Sequence, residues 1–514
     1  MPDDDNVKRK GSPVGKGKTT YLGLVIDKEQ NIYKSRKLGM FTYDLETDTY
    51  GPVPADFIAP VQTKRTKPPR RRPASPAFGD VFICDEIIKK SGYNKVIDAI
   101  CYPNPDTIYA LLAYYIVSKE SNCHAEDWID TSYAQYLYPK AQLASQRISE
   151  TLCTLGSEDT KQAFFKEYLR FLKENEKNFD KTPPASTMVK DCILIDSTGL
   201  SSAIKFPLTA ICKHNGVINE EVRLIYVVQQ STGMPLFFRY VAGNVIDAST
   251  IVRTVAELKA YGIETGCAIL DAGYYTGPNA DVLYEEKIPF VSRVRENMKV
   301  FKETLANYSA GIEARENMVR FNGRVLYVKC VSVKIGSKSD RDAYAYLCLD
   351  INTRGHANKD TSLRANEQKM SDDELFDELH SQGFFVIISS INLTPAEVLP
   401  LYYQRDRIEK IFELSKQNAS LLPLNVQTEE TFRGHLLMTF MATALFQIMS
   451  QKLNKAKISV DSALSTLSNH RVDVYDEWFV TQEPVKHMNE VYTALKIKCP
   501  INIPRDVDIK NLGN

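Results

Sequence analysis

Residues 193–199, ILIDSTG, decide the fold. The apolar run Val189–Ile195 predicts a short buried strand that ends at Asp196. Residues 267–275, CAILDAGYY, repeat the pattern with a second buried strand that ends at Asp271. A carboxylate at the tip of a buried strand is costly unless it is solvated, paired or bound to a metal. Because ligands bind at the carboxyl ends of strands in open α/β sheets, both aspartates are candidate site residues.

Each aspartate also has a purely structural explanation. Aspartate is a favoured residue at helix starts, and Asp271 precedes a predicted helix by only a few residues. Taken alone, either aspartate is better explained in this way. Strands predicted at 221–230 and 235–244 flank a hairpin turn at 231–233, and the later strands, up to 289–294, alternate with helices. This order indicates a mixed α/β sheet.

A long helix is predicted from about 395 to 418, after a strand at 384–389. Thr394, Pro395 and Glu397 supply a cap, a proline at the first helical position and a capping-box glutamate. Two basic residues of this helix, Arg407 and Lys410, are interpreted as ordinary surface charge.

One face of that helix gathers four residues that suit chemistry on phosphates. At roughly 100° per residue they fall within an arc of about 60°. They are Tyr402, Arg405, Glu409 and Lys416. The alternative is an exposed row of ion pairs, since Arg405 and Glu409 can pair at a spacing of four.

Three carboxylates on separate elements, Asp196, Asp271 and Glu409, suit two-metal phosphoryl transfer. Their oxygens match the preference of Mg²⁺, for which Mn²⁺ can substitute. The metals would activate a water or 3′-hydroxyl and stabilise the leaving 3′-oxygen. Arg405 and Lys416 would hold phosphates, and Tyr402 would offer a hydroxyl or a stacking ring.

The composition excludes several classes of protein. The 514 residues are 43% hydrophobic and carry 64 basic and 64 acidic side chains, which excludes a disordered chain, a collagen and a coiled-coil rod. With zero net charge, nucleic-acid binding requires local basic patches. The ten cysteines show no C-x-x-C spacing, which indicates reduced thiols in a cytoplasm. Polar residues interrupt the most apolar stretch, 436–450, so it predicts a core helix and no membrane partner.

The chain divides into six parts by composition and periodicity. The parts are a β-rich module at 1–58, a basic proline-rich linker at 59–78, a helical segment at 79–180, a catalytic core at 186–297 and 384–418, a β-rich insertion at 298–383 and a helical region at 419–514. The linker is either a solvated spacer or an arm along phosphates. The 79–180 segment is expected to bind DNA, although such helices often only pack on a neighbour.

The motifs around these residues resemble those of a known family. Asp196 in DSTG, Asp271 in DAGYY and the Y-(2)-R-(3)-E-(6)-K run from Tyr402 to Lys416 are similar to the DDE transposases of insertion-sequence family four. The resemblance covers roughly 80–450 and is closest to the branch with an N-terminal extension. It implies an α/β, ribonuclease H-like mixed-sheet catalytic core, interrupted by the β-rich insertion and flanked by helical N- and C-terminal regions.

The same resemblance implies Mg²⁺-dependent cut-and-paste transposition in a prokaryotic cytoplasm, at the nucleoid. The protein would bind terminal inverted repeats, pair two element ends as a homodimer and join 3′-hydroxyls to target DNA. Tyr402, Arg405 and Lys416 would contact DNA near the cleavage site. Some relatives hold a flipped base against an aromatic residue, but neither tryptophan, Trp128 or Trp478, lies in the insertion, so none is assigned.

Two other functions remain open from the sequence. One is a metal-dependent nuclease on the same core, and the other is a catalytically silent copy that only binds DNA. Several neighbouring residues have weaker assignments. Ser197 and Thr198 orient Asp196 or a phosphate, or only stabilise the turn, and Arg293 and Arg295 are candidate DNA contacts. His435 is expected to be a core or surface histidine.

Overall fold

A computed structural model divides the chain into two units, residues 1–71 and residues 72–514. The structure describes residues 22–35, 38–44, 47–54, 57, 75–181, 191–201, 208–214, 217–245, 247–338, 340–368, 370–419, 421–422, 424, 426 and 428–505. The basic residues of the predicted linker, Lys64 to Arg72, lie outside these ranges.

The first unit contains a four-stranded antiparallel sheet. Its strands follow chain order and are β1 (Leu24–Asp27), β2 (Ile32–Ser35), β3 (Gly39–Asp44) and β4 (Thr49–Gly51). Leu22, Tyr33, Phe41 and Tyr43 form a small apolar core on it. The β-rich character of this segment follows from its short alternating runs, which bury one face of the sheet.

The second unit is built on a ten-stranded mixed sheet. Its strands are β5 (Cys192–Ser201), β6 (Ala210–His214), β7 (Val217–Gln229), β8 (Pro235–Ala242), β9 (Cys267–Leu270), β10 (Phe290–Val294), β11 (Met318–Phe321), β12 (Arg324–Ile335), β13 (Arg341–Asp350) and β14 (Phe384–Ser389). Their order across the sheet is β11-β12-β13-β14-β10-β9-β5-β7-β6, and β8 also pairs with β7. Strands β5, β9 and β10 are mutually parallel, and the other pairs are antiparallel.

Helices occur before, between and after these strands. Those before β5 are α1 (Gly79–Ser91), α2 (Asn94–Asp98), α3 (Pro105–Val117), α4 (Ala125–Thr131), α5 (Ala134–Leu137), α6 (Ser145–Leu155) and α7 (Glu158–Glu174). Those between the strands are α8 (Ile251–Ala260), α9 (Gly277–Glu285), α10 (Lys299–Tyr308), α11 (Ile351–Gln368) and α12 (Asp372–Ser381). After β14 come α13 (Pro395–Tyr403), α14 (Asp406–Gln417), α15 (Glu429–Asn454), α16 (Val460–Ser468) and α17 (Lys486–Leu495).

Helix α15 is the buried axis of the helical part, as its apolar sequence predicts. It packs against α3 and α6 from the beginning of the unit and against α14, α16 and α17 from its end. At the α6–α15 crossing the backbones approach so closely that a Cβ on Gly434 would lie 1.8 Å from the Leu152 carbonyl oxygen. The helices before and after the sheet therefore share one continuous core. Within the described ranges, no helix combines the length and hydrophobicity needed to cross a bilayer.

The segment 298–383 contains more helix than strand, since α10, α11 and α12 are together longer than β11, β12 and β13. Strands β11, β12 and β13 follow from its alternating apolar residues, and β13 pairs with β14, so these strands extend the main sheet. The polar stretch that follows β13 forms α11 and α12, and Ser371 and Glu374 make a capping box at the start of α12. A description of this segment as β-rich is therefore incomplete, because its second half is helical.

The C-terminal region also contains a small sheet. Its antiparallel strands are β15 (Val472–Val474), β16 (Trp478–Thr481) and β17 (Asn502–Pro504). Phe479 of β16 packs edge-on against Tyr133 of the N-terminal helical part, with ring centroids 5.5 Å apart. The C-terminal region thus combines helices α15, α16 and α17 with a small sheet that packs on the helices at the start of the unit.

Candidate functional site

The guanidinium of Arg405 lies between the three carboxylates that the sequence singles out. Its Nη2 is 2.9 Å from Asp196 Oδ2 and 3.8 Å from Glu409 Oε1. Its Nη1 is 2.8 Å from Asp271 Oδ1. The Arg405 side chain is only 15% exposed, whereas those of Asp271 and Glu409 are 40% and 62% exposed. The structure thus brings Asp196, Asp271 and Glu409 together around one cationic group.

The register of the parallel strands explains why the two aspartates meet. Ile195 of β5 lies opposite Leu270 of β9, and the next residue on each chain segment is an aspartate. Strand β5 does not end at Asp196, as its apolar pattern suggests, but continues to Ser201. The polar residues 196–201 remain part of the strand because β5 stays paired with β7 as far as Ser201. Backbone hydrogen bonds between strands do not depend on side-chain polarity.

The electrostatics of Asp196 reflect its burial. Burial is the main cause that raises the pKa of Asp196 to about 6; the charge of Arg405 opposes the rise, and the charge of Asp271 adds to it. Both oxygens of its carboxylate have partners, since Oδ1 accepts the Ser197 backbone N–H at 2.8 Å and Oδ2 accepts from Arg405. Asp196 is therefore held in one orientation, and its charged form is stabilised by Arg405 and by the Ser197 N–H.

The prediction of one helix from 395 to 418 is wrong. The helix breaks between α13 and α14, where the Arg405 N–H bonds the Tyr402 carbonyl in a tight turn. Side chains at the break have partners elsewhere in the fold: Gln404 bonds the side chain of Gln230, and Arg405 binds the carboxylates. Helical periodicity cannot show this break, because it depends on contacts far away in the sequence.

Helix α14 is anchored on β7 by its buried face. The Phe412 ring stacks on the Tyr226 ring with centroids 5.3 Å apart. Ser415 Oγ hydrogen-bonds Tyr226 Oη at 3.2 Å and Thr443 Oγ1 at 2.9 Å. These contacts fix the rotation of α14 about its axis, so that Glu409 points towards the aspartates.

Tyr402 contacts Arg405, and Lys416 contacts strand β5 beyond Asp196. The buried Tyr402 hydroxyl accepts from Arg405 Nη1 at 3.3 Å, and burial raises the pKa of this phenol. Lys416 Nζ donates to Thr198 Oγ1 at 2.7 Å and to the Gly199 carbonyl at 3.1 Å. Burial lowers the pKa of Lys416, and the charge of Glu221 opposes that shift. Thr198 lies on β5, and its hydroxyl accepts a hydrogen bond from Lys416 of α14.

The interpretation of Arg407 as surface charge is wrong. Its Nη1 donates to the carbonyl oxygens of Gln230 and Ser231, at 2.7 and 3.1 Å, in the turn between β7 and β8. Arg407 therefore fastens α14 to that turn, and half-burial is the consequence. Lys410, by contrast, is exposed. No local pattern distinguishes these two residues, since only the tertiary fold places the turn beside one of them.

Other residues with weaker assignments have clear surroundings. The Arg293 guanidinium lies over the Phe385 ring at 5.1 Å, whereas Arg295 is exposed beyond the end of β10. His435 is buried in the core, as expected, where Tyr115 Oη lies 2.8 Å from its Nδ1. Burial lowers the pKa of His435.

A fourth carboxylate near the site was not found from the sequence. Asp247 Oδ1 accepts from Ser197 Oγ at 2.5 Å and from Arg223 Nη1 at 2.6 Å. Ser197 directly follows Asp196, so Asp247 is one side chain away from the candidate site. It lies in a short turn before α8, and an acidic residue in a turn gives no periodic signal.

The donor chemistry at this site suits a hard divalent cation. Three carboxylates already surround a positive group, and oxygen ligands are what Mg²⁺ and Mn²⁺ prefer. Among the described residues, however, no three acidic, histidine or cysteine side chains are close enough to bind one metal ion as they stand. The reason is visible in the geometry, since the Arg405 guanidinium fills the space between the three carboxylates.

Comparison with known proteins identifies a family for this chain. A family model described as a transposase DDE domain matches residues 188–445. A comparison with curated proteins gave no match. One similar solved structure is a piggyBac transposase synaptic complex with hairpin DNA, at 12% identity and a TM-score of 0.40, covering 81% of each chain. The family match spans half of the chain and includes Asp196, Asp271 and Glu409, and we conclude that the chain belongs to the transposase DDE domain family.

Proposed function

We propose that this protein is the DNA transposase of an insertion sequence of family four, and that it cuts and joins DNA strands. The observation that carries the proposal is the convergence of Asp196, Asp271 and Glu409 on one guanidinium. The family match supports the same conclusion. Because the three carboxylates come from two strands and a helix far apart in sequence, an incidental surface cluster explains their meeting poorly.

We assign the catalytic core to the part of the sheet that carries these carboxylates. Strands β8, β7 and β5 are antiparallel neighbours, and β9 and β10 follow in parallel with β5. This order supports a ribonuclease H-like core, with α14 packed on β5 and β7. The segment 298–383 is then the insertion between Asp271 and Glu409, joined to the core through β13 and β14.

Asp196, Asp271 and Glu409 would hold Mg²⁺, or Mn²⁺ in its place. When bound, such cations lower the pKa of an attacking water or 3′-hydroxyl and neutralise charge on the leaving oxygen. Arg405 cannot remain between the carboxylates in that state. Its Nε is buried without a hydrogen-bond partner among the described residues, so this environment does not satisfy the side chain fully. A DNA phosphate would satisfy it, since guanidinium and phosphate form paired hydrogen bonds.

The neighbouring side chains then have distinct roles. The Tyr402 hydroxyl, within hydrogen-bond distance of Arg405, orients the guanidinium. Lys416, held by Thr198 and Gly199, presents a partly desolvated charge to a second phosphate. Since Lys416 lies on the same helix as Glu409, phosphate contacts at one end of α14 align the carboxylate at the other.

The partners follow from this chemistry. We propose that the substrate is the inverted-repeat end of the element, that two copies of the chain pair two ends, and that the 3′-hydroxyls are joined to target DNA. The reaction would take place in a prokaryotic cytoplasm, at the nucleoid. Because the net charge of the whole chain is zero, binding must rely on local cations such as Arg405 and Lys416.

A strand-transfer assay with labelled element ends and Mg²⁺ tests the proposal. Joined product supports transposition, cut product alone supports a nuclease, and a gel shift without cleavage supports a silent binder. Asp196→Ala, Asp271→Ala and Glu409→Ala should each abolish cleavage and leave DNA binding largely intact. Glu413→Ala is the matched control, because Glu413 is exposed on the same helix as Glu409. Near-normal cleavage by one of the three variants would remove that residue from the metal site.

A further inference from the structure

Asp247 touches three segments that build the candidate site. It begins a short turn, Asp247–Thr250, between β8 and α8. Its Oδ1 accepts from Ser197 of β5 and from Arg223 of β7. Its Oδ2 lies against Gly273, where a Cβ would be only 3.2 Å away. One carboxylate thus contacts β5, β7 and the segment that follows β9.

The contact with Ser197 leads directly to Asp196. Ser197 donates its hydroxyl to Asp247 at 2.5 Å and its backbone N–H to Asp196 Oδ1 at 2.8 Å. Ser197 therefore binds Asp247 with its side chain and Asp196 with its backbone N–H. A shift of Asp247 would move the backbone N–H that orients Asp196.

The contact with Gly273 leads to the second aspartate. Gly273 is two residues after Asp271, and any larger residue there would press on Asp247. The next residue, Tyr274, is fully buried. Burial is the main cause that raises the pKa of Tyr274, and the charges of Asp247 and Asp196 add to the rise.

Arg223 keeps this arrangement electrically balanced. The Arg223–Asp247 pair is 2.6 Å long, and its side chains are only 12% and 23% exposed. Without Arg223, Asp247 would add a further negative charge beside Asp196. With it, Asp247 is an acceptor that contributes little net charge to the site, which suits a role in orientation rather than in binding a metal directly.

We propose that Asp247 is a positioning residue that holds Asp196 and Asp271 at the separation needed for divalent-cation binding. The inference rests on the proposed function, because it assumes that these carboxylates bind a cation. Side chains that orient metal ligands without touching the metal typically contribute 10–100-fold in metal affinity or activity. Asp247 occupies such a place, since it contacts the neighbours of both ligands.

The test measures Mn²⁺ binding to the full chain in complex with pre-cleaved element ends, by the resonance signal of free Mn²⁺. Asp247→Asn keeps the size of the side chain and one acceptor oxygen but removes the charge that holds Arg223. We expect its dissociation constant for Mn²⁺ to rise about tenfold. Ser197→Ala, which deletes only the linking hydroxyl, should raise it in the same direction, while DNA affinity stays unchanged for both variants.

Asp350→Asn is the matched control. Asp350 is an equally paired and more buried aspartate, 3.1 Å from Arg324, but it lies at the end of β13. Its variant should bind Mn²⁺ within about twofold of the unmodified protein, because a loss confined to local structure does not reach the site. An equal loss in Asp350→Asn and Asp247→Asn would overturn the inference, since it would indicate a general structural effect.

The two possible failures are distinguishable. If the unmodified complex binds Mn²⁺ and cleaves DNA while Asp247→Asn and Ser197→Ala bind Mn²⁺ equally well, the positioning role is refuted and the proposed function stands. If the unmodified complex binds no Mn²⁺ and does not cleave, the proposed function fails and this inference fails with it. Should Asp247→Asn not fold, Ser197→Ala decides the matter alone.

Discussion

Replacing Arg405 with methionine tests whether its guanidinium occupies the place of a metal cation. Methionine keeps much of the length and apolar volume of the side chain but removes its charge. Arg405 makes ion pairs at 2.8 and 2.9 Å with Asp271 and Asp196 and a longer one at 3.8 Å with Glu409. Removing one partner of a buried ion pair costs about 3–5 kcal/mol. Because Asp271 and Glu409 are 40% and 62% exposed and partly screened, we expect about 3 kcal/mol.

The effect should depend on divalent metal. In EDTA, Arg405→Met leaves three carboxylates without their shared counter-charge, so its free energy of unfolding falls. Mg²⁺ restores a counter-charge, and a ligand at 100 times its dissociation constant stabilises the folded state by about 2.7 kcal/mol. The unmodified protein should gain less from Mg²⁺ without DNA, because Arg405 competes with the metal.

Thermal unfolding in EDTA and in Mg²⁺ measures both quantities, and Arg407→Met is the control. Arg407 is also a half-buried arginine of the same region, but its partners are two backbone carbonyls rather than carboxylates. Its variant should be destabilised to the same extent with and without Mg²⁺. The reasoning is refuted if Arg405→Met is as stable as the unmodified protein in EDTA, or if Mg²⁺ stabilises both equally.

Three further predictions concern binding, packing and pH. In a titration of element-end affinity against salt concentration, Lys416→Ala should reduce the salt dependence by about one counterion. Lys410→Ala is the control, because Lys410 is exposed, and it should leave the salt dependence unchanged. Equal salt dependence in the two variants would contradict a phosphate contact at Lys416. Gly434→Ala should lower the unfolding temperature, at a cost of about 3 kcal/mol or more, because its Cβ would lie 1.8 Å from a carbonyl oxygen. The control Gly355→Ala, with open space around it in α11, should stabilise the protein by about 1 kcal/mol. A tolerated Gly434→Ala would refute the close crossing of α6 and α15. Burial raises the pKa of Asp80 from 3.8 to about 6, so the folded state disfavours its charge. Asp80→Asn should therefore stabilise by up to about 3 kcal/mol at pH 8, and most of that gain should disappear as pH falls from 6 to 3.8; an undiminished gain at pH 4 would show that charge burial is not its cause.

The parts of the fold predictable from the sequence are those set by local burial. The apolar runs that precede Asp196 and Asp271 mark strands because parallel strands are buried on both faces. Helix α15 follows equally from its apolar composition. The meeting of the two aspartates adds only the register of the neighbouring strands β5 and β9.

The remaining features depend on contacts that have no local signal. The break before α14 and the role of Arg407 both require the β7–β8 turn to lie beside that helix. Asp247 belongs to the site only because a turn after β8 folds back onto Ser197. The position of Arg405 among the carboxylates was equally inaccessible, since helical spacing relates it to Glu409 but not to strands β5 and β9.

From the position of Arg405 we expect metal binding and DNA binding to be coupled. The three carboxylates share one cation, Arg405, so negative charge is in excess there and a phosphate backbone is disfavoured. On the proposed function, Asp196, Asp271 and Glu409 would hold a divalent cation that offsets this excess, and Arg405 would then be available to bind a phosphate. Conversely, a phosphate that draws Arg405 away leaves the carboxylates without a counter-charge and raises their affinity for the metal. Because such coupling is reciprocal, each ligand must strengthen the other by the same factor. The planar guanidinium is suited to this exchange, since its fork of donors binds carboxylates and phosphates with similar geometry, which a lysine at the same position could not reproduce.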